Sequence, residues 1–207
     1  MKVINVCPQP VYSFEIEPAL GKQVAEDLVG LEWVRNGIPD GHKGRGNNFM
    51  TKDNFLHLLP PFKNISDWFI ECVNQVGSEY NYTCERFSIT MMWGNKSPVG
   101  GWHHTHSHPF SVMSGIYYVN DSEAHTWFSL FDHFSTTVDP LSLCPQTRDI
   151  IHKQPSEKGK LVVFPSHLMH SVDEHKGEDE CRYTISFNTF PSGAVGRMDS
   201  LAGAVVE

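Results

Sequence analysis

The chain has 207 residues, which suits one domain spanning 1–207 with a sizeable core, and its 40 % hydrophobic content is that of a globular protein. A net charge of −8 with no run of Lys or Arg argues against a protein that coats nucleic acid or anionic membrane through a basic surface. No stretch reaches the roughly 20 consecutive apolar residues of a spanning helix, and Met1 to Val11 lacks the basic start and apolar run of a secretory leader.

The first segment, Val3 to Ile16, reads as extended and is punctuated by Pro8 and Pro10, which suits an edge strand. Pro18 sits where a helix starts, and Leu20, Val24 and Leu28 follow at fourfold spacing before Gly30. Asn36 to Thr51 is rich in Gly and Asn and reads as a loop. A second helix is predicted over Ile65 to Val76, with Ile65, Phe69, Cys72, Val73 and Val76 along one face. Helical support is therefore expected over about residues 17–80 and a β core over about 85–190.

The strand candidates are Phe87–Trp93, Gly101–His108, Gly115–Asn120, Thr126–Phe131, Lys160–Phe164 and Arg182–Phe190, short and rich in β-branched or aromatic residues. Asp132 to Lys158 holds Pro140, Pro145 and Pro155 with weak periodicity, and reads as a long functional loop. Helices followed by strands make a mainly β, α+β order with a sandwich or barrel as the core. The cysteines Cys7, Cys72, Cys84, Cys144 and Cys181 are odd in number, with no CxxC pair, so reduced thiols in a cytoplasmic protein are expected. Oligomeric state leaves no signal in these residues.

Histidine is the outlier: the chain has 12, and four of them fall between 103 and 108. In a strand, residues two apart share a face, so His104, His106 and His108 would line one side. Two imidazoles at that spacing can grip one metal ion and leave the opposite side open. His104 with His106, or His106 with His108, meets the requirement. His170 follows a strongly apolar strand, Leu161 to Phe164, and supplies the third ligand from a distance. Three nitrogen ligands leave up to three positions on an octahedral ion for substrate, co-substrate and oxygen. His103, His125, His133, His152 and His175 read as surface or loop residues, and His167 as a neighbour of the site or a neutral position.

Twelve residues after His170 comes Arg182, and alternation places Arg182, Thr184, Ser186 and Asn188 on one face. A buried arginine is costly unless it meets an anion, and its planar fork matches a carboxylate. Thr184 can donate one more hydrogen bond. These residues suit a small dicarboxylic acid, anchored at one end by Arg182 and bound to the metal at the other.

His106 to Val119, with Ser114, Gly115, Tyr117 and Tyr118, resembles the His-x-His…Ser-Gly-x-Tyr-Tyr signature of the 2-oxoglutarate and Fe(II)-dependent oxygenases of bacteria and their phages. Gly159 to Ser166, His170 and Arg182 to Asn188 resemble that family's second block, and Pro8 to Tyr12 is similar to its first strand. The resemblance is specific from about 87 to 190 and weak across 132–158. It implies a double-stranded β-helix (jelly-roll, cupin-like) core with N-terminal helices packed on it. Aligned on Ser114 and Gly115, it places the metal pair on His106 and His108, with His170 third. Where the family's characterised members mostly carry a carboxylate, this chain has His108, so an Fe(II) site here is one charge more positive.

The implied reaction decarboxylates 2-oxoglutarate to succinate with O₂ and oxidises a substrate, with Arg182 and Thr184 holding the co-substrate's far carboxylate. Tyr117 or Tyr118 could add a hydrogen bond to it, and Trp93, Trp102 and Phe110 could shape the mouth. Two other readings stay open on the residues: a three-histidine cupin-like enzyme that does not use 2-oxoglutarate, and a non-catalytic β-sandwich in which the histidines hold zinc. Substrate candidates are a small molecule, a peptide side chain or a protein.

Overall fold

The computed structural model describes residues 9–36, 47–80, 82, 84–129, 151–177, 181–197 and 202–206. Strand β1 (Tyr12–Glu15) leads into helix α1 (Pro18–Val29), where Pro18 takes the first helical position and the Glu17 carboxylate accepts from Leu20 N–H at 3.1 Å. Two three-residue strands follow, β2 (Trp33–Arg35) and β3 (Phe49–Thr51). Short 3₁₀ turns at Leu56–Leu58 and Pro60–Phe62 deliver the chain to helix α2 (Lys63–Glu79). The remainder is β: β4 (Arg86–Ser97), β5 (His103–His106), β6 (Met113–Tyr118), β7 (Ser122–Ser129), β8 (Ile151–Ser156), β9 (Lys160–Pro165), β10 (Met169–Val172), β11 (Arg182–Arg197) and β12 (Ala202–Val206).

Two antiparallel sheets result. The larger runs β1-β9-β6-β11-β4-β3-β2, with β12 paired to the far end of β11, and the smaller runs β5-β10-β7-β8. This is the mainly β, double-stranded β-helix architecture, with the two helices on the outer face of the large sheet. Side-chain parity divides the apolar residues cleanly. Tyr117, Leu161, Val163, Ile185 and Phe187 pack outward against Ile65, Phe69, Val73 and Val76 of α2. Ile116, Tyr118, Val162 and Phe164 point inward and pack with Phe128 and Leu168. The α2 residues are almost fully buried, and each contributes about 1.5–3 kcal/mol. Phe69 stacks on Phe187 at 4.6 Å, and the Phe187 ring lies over Gly115 so closely that a Cβ there would meet it at 2.2 Å. Gly115 is thus required by the helix-facing core.

Several boundaries differ from the sequence-based expectations. The expected loop 36–51 contains β3, which pairs with Trp33–Arg35 and with Asn95 and Lys96; residues 37–46 lie outside the described residues. A three-residue strand is too short to display the twofold alternation that marks strands. The expected loop 132–158 ends in strand β8, whose Ile151 to Gln154 pair with Ser129 to Thr126; residues 130–150, and with them His133 and Cys144, lie outside the described residues. The expected strand Gly101–His108 stops at His106, and β10 and β12 carried no sequence signal strong enough to be anticipated. Of the expected opening strand, Tyr12–Glu15 is formed, and residues 1–8 lie outside the described residues. Among the described residues, no helix is long and apolar enough to cross a membrane.

Candidate active site

His106 on β5 stands directly opposite His170 on β10, so their rings share a face, with centroids 4.3 Å apart. Between these strands the register slips: Val172 pairs with His103, not with His104. Two residues of β5, His104 and Thr105, therefore oppose Ser171, as in a β-bulge. The extra residue reverses the side-chain parity beyond it. His103 thereby lines the same cavity as His106, while His104 turns to an outer groove beside Asp173 and Glu174. Uniform alternation had put His104, His106 and His108 on one side, and had read His103 as a surface residue. The bulge corrects both.

His108 reaches the site without being in the strand. Its backbone N–H donates to Ser166 O at 2.9 Å, which fixes the chain just beyond β5. A row of side chains, Ser111, Ser166, Ser114 and Asn188, with spacings of 2.8–2.9 Å, braces this corner. The His108 ring stacks on His170 at 5.0 Å, and their Nε2 atoms are 3.2 Å apart. Together His106, His108 and His170 offer one ligand atom each, all within 4.8 Å of one another.

The tautomers follow from the partners. Nδ1 of His106 lies 2.9 Å from the carbonyl of His104, and Nδ1 of His170 lies 3.0 Å from the carbonyl of Leu168. A carbonyl only accepts, so each Nδ1 carries the proton and each Nε2 presents its lone pair. Burial, reinforced by the neighbouring His106, lowers the His170 pKa to about 3 and the His108 pKa to about 4. Both imidazoles are therefore neutral at pH 7, as metal ligation requires. Converging imidazole nitrogens, two of them held by backbone carbonyls, fit a divalent transition metal such as iron.

The polar face of β11 forms the wall beside the histidines. Arg182 is 4 % exposed and Thr184 2 % exposed, and both line the cavity, together with Ser186 and Asn188. Arg182 donates from Nε to Ser156 Oγ at 3.2 Å, and its guanidinium lies 5.6 Å above the Tyr118 ring. Among the described residues, no carboxylate lies within ion-pair distance of it. Burial lowers the guanidinium pKa, and an anion in the cavity would offset the cost of burying the charge.

Tyr118 faces inward but spends its hydroxyl on Thr126 Oγ1 at 2.9 Å; Tyr117 faces the helices, and neither lines the cavity. Trp93 and Trp102 do line it. Phe110 does not: it is 92 % exposed and stacks on Phe190 at 5.6 Å. His167 meets Gln9 at the surface. His175, read from sequence as a surface or loop residue, is buried, and its Nδ1 lies 3.0 Å from the Glu123 carboxylate. Asn95, on β4 opposite Thr184, also belongs to the cavity. Extending the β4 alternation two residues past Trp93 would have found it.

A family model described as "Putative 2OG-Fe(II) oxygenase" matches residues 91–188, the stretch from within β4 into the first half of β11. No curated protein matches the chain. Among solved structures, a prolyl-4-hydroxylase from Pseudomonas putida is similar at 13 % identity and a TM-score of 0.61, covering 88 % of this chain and 94 % of that one. HygX from Streptomyces hygroscopicus, solved with nickel and 2-oxoglutarate bound, has 10 % identity and a TM-score of 0.60, covering 96 % and 92 %. The α-ketoglutarate-dependent epimerase SnoN from nogalamycin biosynthesis has 11 % identity and a TM-score of 0.65, covering 91 % and 82 %. At such identities these likenesses establish the shared fold.

Proposed function

We propose that this chain, whose residues 91–188 match the model of the 2OG-Fe(II) oxygenases, couples oxidative decarboxylation of 2-oxoglutarate to hydroxylation, or a related oxidation, of a second substrate. The observation that carries the reading is the pairing, in one cavity, of three convergent histidines with a buried arginine that, among the described residues, has no carboxylate within ion-pair distance. In the balanced reaction one O₂ converts 2-oxoglutarate to succinate and CO₂, and its second oxygen atom enters the substrate as a hydroxyl group. Bound Fe(II) supplies the open coordination positions and the one-electron chemistry this requires.

The chain's own residues do the rest. His106 and His170 bind through Nε2, with orientation set by the His104 and Leu168 carbonyls. His108 completes the set, and its imidazole in place of an acid leaves the site one charge more positive. Arg182 and Thr184 hold the far carboxylate of 2-oxoglutarate and so aim its 2-oxo acid end at the histidines. Among the described residues three ligands converge, whereas a structural zinc site takes four, which favours an open catalytic centre.

The cavity holds about 290 Å³, just below the roughly 300–1,000 Å³ of small-molecule sites. A small molecule or one peptide side chain fits that space better than a nucleic acid. The thiols of Cys72, Cys84 and Cys181 are free, which suits a reducing, cytoplasmic setting. The deciding experiment is anaerobic loading with Fe(II), then exposure to O₂ and 2-oxoglutarate. Succinate release that disappears in His170→Ala is expected; 2-oxoglutarate left intact by the loaded wild type would overturn the reading.

A further inference from the structure

The hydrogen-bond polarity of the cavity wall can be traced from one atom. The indole N–H of Trp93 can only donate, and it lies 3.1 Å from Oδ1 of Asn95. The Asn95 amide is therefore held with its oxygen towards Trp93 and its NH₂ group towards β11. Nδ2 lies 3.3 Å from Thr184 Oγ1 and 3.0 Å from Ser186 Oγ, and its two hydrogens serve one hydroxyl each. Both hydroxyls thus act as acceptors towards Asn95, and each keeps its own proton. Among the described residues neither hydroxyl proton has an acceptor, and both side chains line the cavity beside Arg182.

We infer that Asn95, locked by Trp93, is a positioning residue: it orients the Thr184 and Ser186 hydroxyls as donors, so that with Arg182 they form an all-donor cradle for the far carboxylate of the co-substrate. This rests on the proposed use of 2-oxoglutarate and adds three residues to it: Trp93, Asn95 and Ser186. The physical advantage lies in preorganisation. A free hydroxyl can turn either lone pair or proton to the cavity, and an oxygen lone pair facing a carboxylate repels it. Asn95 removes the unfavourable rotamer before the anion arrives, so little reorganisation is left for the binding step.

The inference separates polarity from packing. Asn95→Asp keeps size and shape and still accepts from Trp93. Its second oxygen, however, attracts the two hydroxyl protons away from the cavity and places a negative charge beside Arg182. Asn95→Leu removes the amide and leaves both hydroxyls free to rotate. The Asp variant, though closer in shape, is therefore expected to be the worse binder. Trp93→Phe keeps an aromatic ring but frees the amide to flip, with an intermediate effect.

The experiment is calorimetric titration of Mn(II)-loaded protein with 2-oxoglutarate and with 2-oxopentanoate, which lacks the far carboxylate. Losing two hydrogen bonds to a charged group predicts that Asn95→Asp binds 2-oxoglutarate about 100-fold or more weakly than wild type. Asn95→Leu and Trp93→Phe should lose about 3- to 10-fold, and 2-oxopentanoate should bind all four proteins about equally. Binding of Mn(II) itself, titrated first, should be unchanged. If wild type binds 2-oxoglutarate and Asn95→Asp binds it as well as Asn95→Leu does, the inference is wrong. If wild type shows no preference for 2-oxoglutarate over 2-oxopentanoate, the co-substrate reading fails instead, and the role of Asn95 with it.

Discussion

Replacing Arg182 by Met tests the anion site in a way that separates binding from folding. The side chain is 4 % exposed, and its one polar contact to a side chain among the described residues is Ser156 Oγ at 3.2 Å. Among the described residues no carboxylate lies within ion-pair distance of that buried guanidinium, so the ligand-free Arg182→Met protein should be as stable as wild type or more so. Binding should respond in the opposite direction. Truncating one partner of a buried charged pair costs about 2–5 kcal/mol, which weakens 2-oxoglutarate about 30- to 4,000-fold.

At a ligand concentration of about 100 times the wild-type Kd, linkage gives about 2.7 kcal/mol of stabilisation, or roughly 5–10 °C in Tm for a chain of this size. The same concentration should stabilise Arg182→Met by less than about 1 kcal/mol. Thermal unfolding of the Mn(II)-loaded proteins with and without 2-oxoglutarate reads both effects. An Arg182→Met protein that keeps the full ligand-induced shift would refute the carboxylate role. A ligand-free variant destabilised by about 3–5 kcal/mol would show instead that Arg182 is half of a structural ion pair.

Three further outcomes are expected. His108→Ala should weaken Ni(II) binding about 100-fold or more while His104→Ala stays within about twofold, because the His104 carbonyl that orients His106 is backbone; titration calorimetry distinguishes them. The metal-free protein should lose stability as pH falls from about 6.5 towards 4. There the unfolded chain protonates histidines that the folded site keeps neutral at pKa values of about 3 and about 4, each adding up to about 1.4 kcal/mol per pH unit. Denaturant midpoints between pH 7 and 5 measure this, and a flat profile would contradict the lowered pKa values. Gly115→Ala should destabilise by about 1–3 kcal/mol or more, since its Cβ would lie 2.2 Å from the Phe187 ring, and the same midpoints at pH 7 should show it.

Local pattern carried much of the architecture. Fourfold apolar spacing and Pro18 marked α1, the apolar face from Ile65 to Val76 marked α2, and runs rich in β-branched or aromatic residues marked the longer strands. Alternation likewise placed Arg182, Thr184, Ser186 and Asn188 together on one face, because strand parity is a property of the chain itself. Where parity failed, the cause was tertiary. The bulge opposite Ser171 exists only because β5 pairs with β10, and it exchanges His103 for His104 at the cavity.

By itself, then, the sequence determined the two helices and the longer strands, the polar face of β11 and the histidine-rich segment from which two of the converging imidazoles come. Tertiary structure decided which histidines converge, since His108 arrives from beyond its strand through a backbone bond to Ser166, and His170 from another strand altogether. It also decided that Arg182 is buried with no carboxylate within ion-pair distance among the described residues, and that Asn95 faces Thr184 across the β4–β11 pair. The physical reason is the range of the interactions. Helix and strand periodicity arise within a few residues, whereas a shared cavity, a register slip and the surroundings of a buried charge depend on strands far apart in the chain.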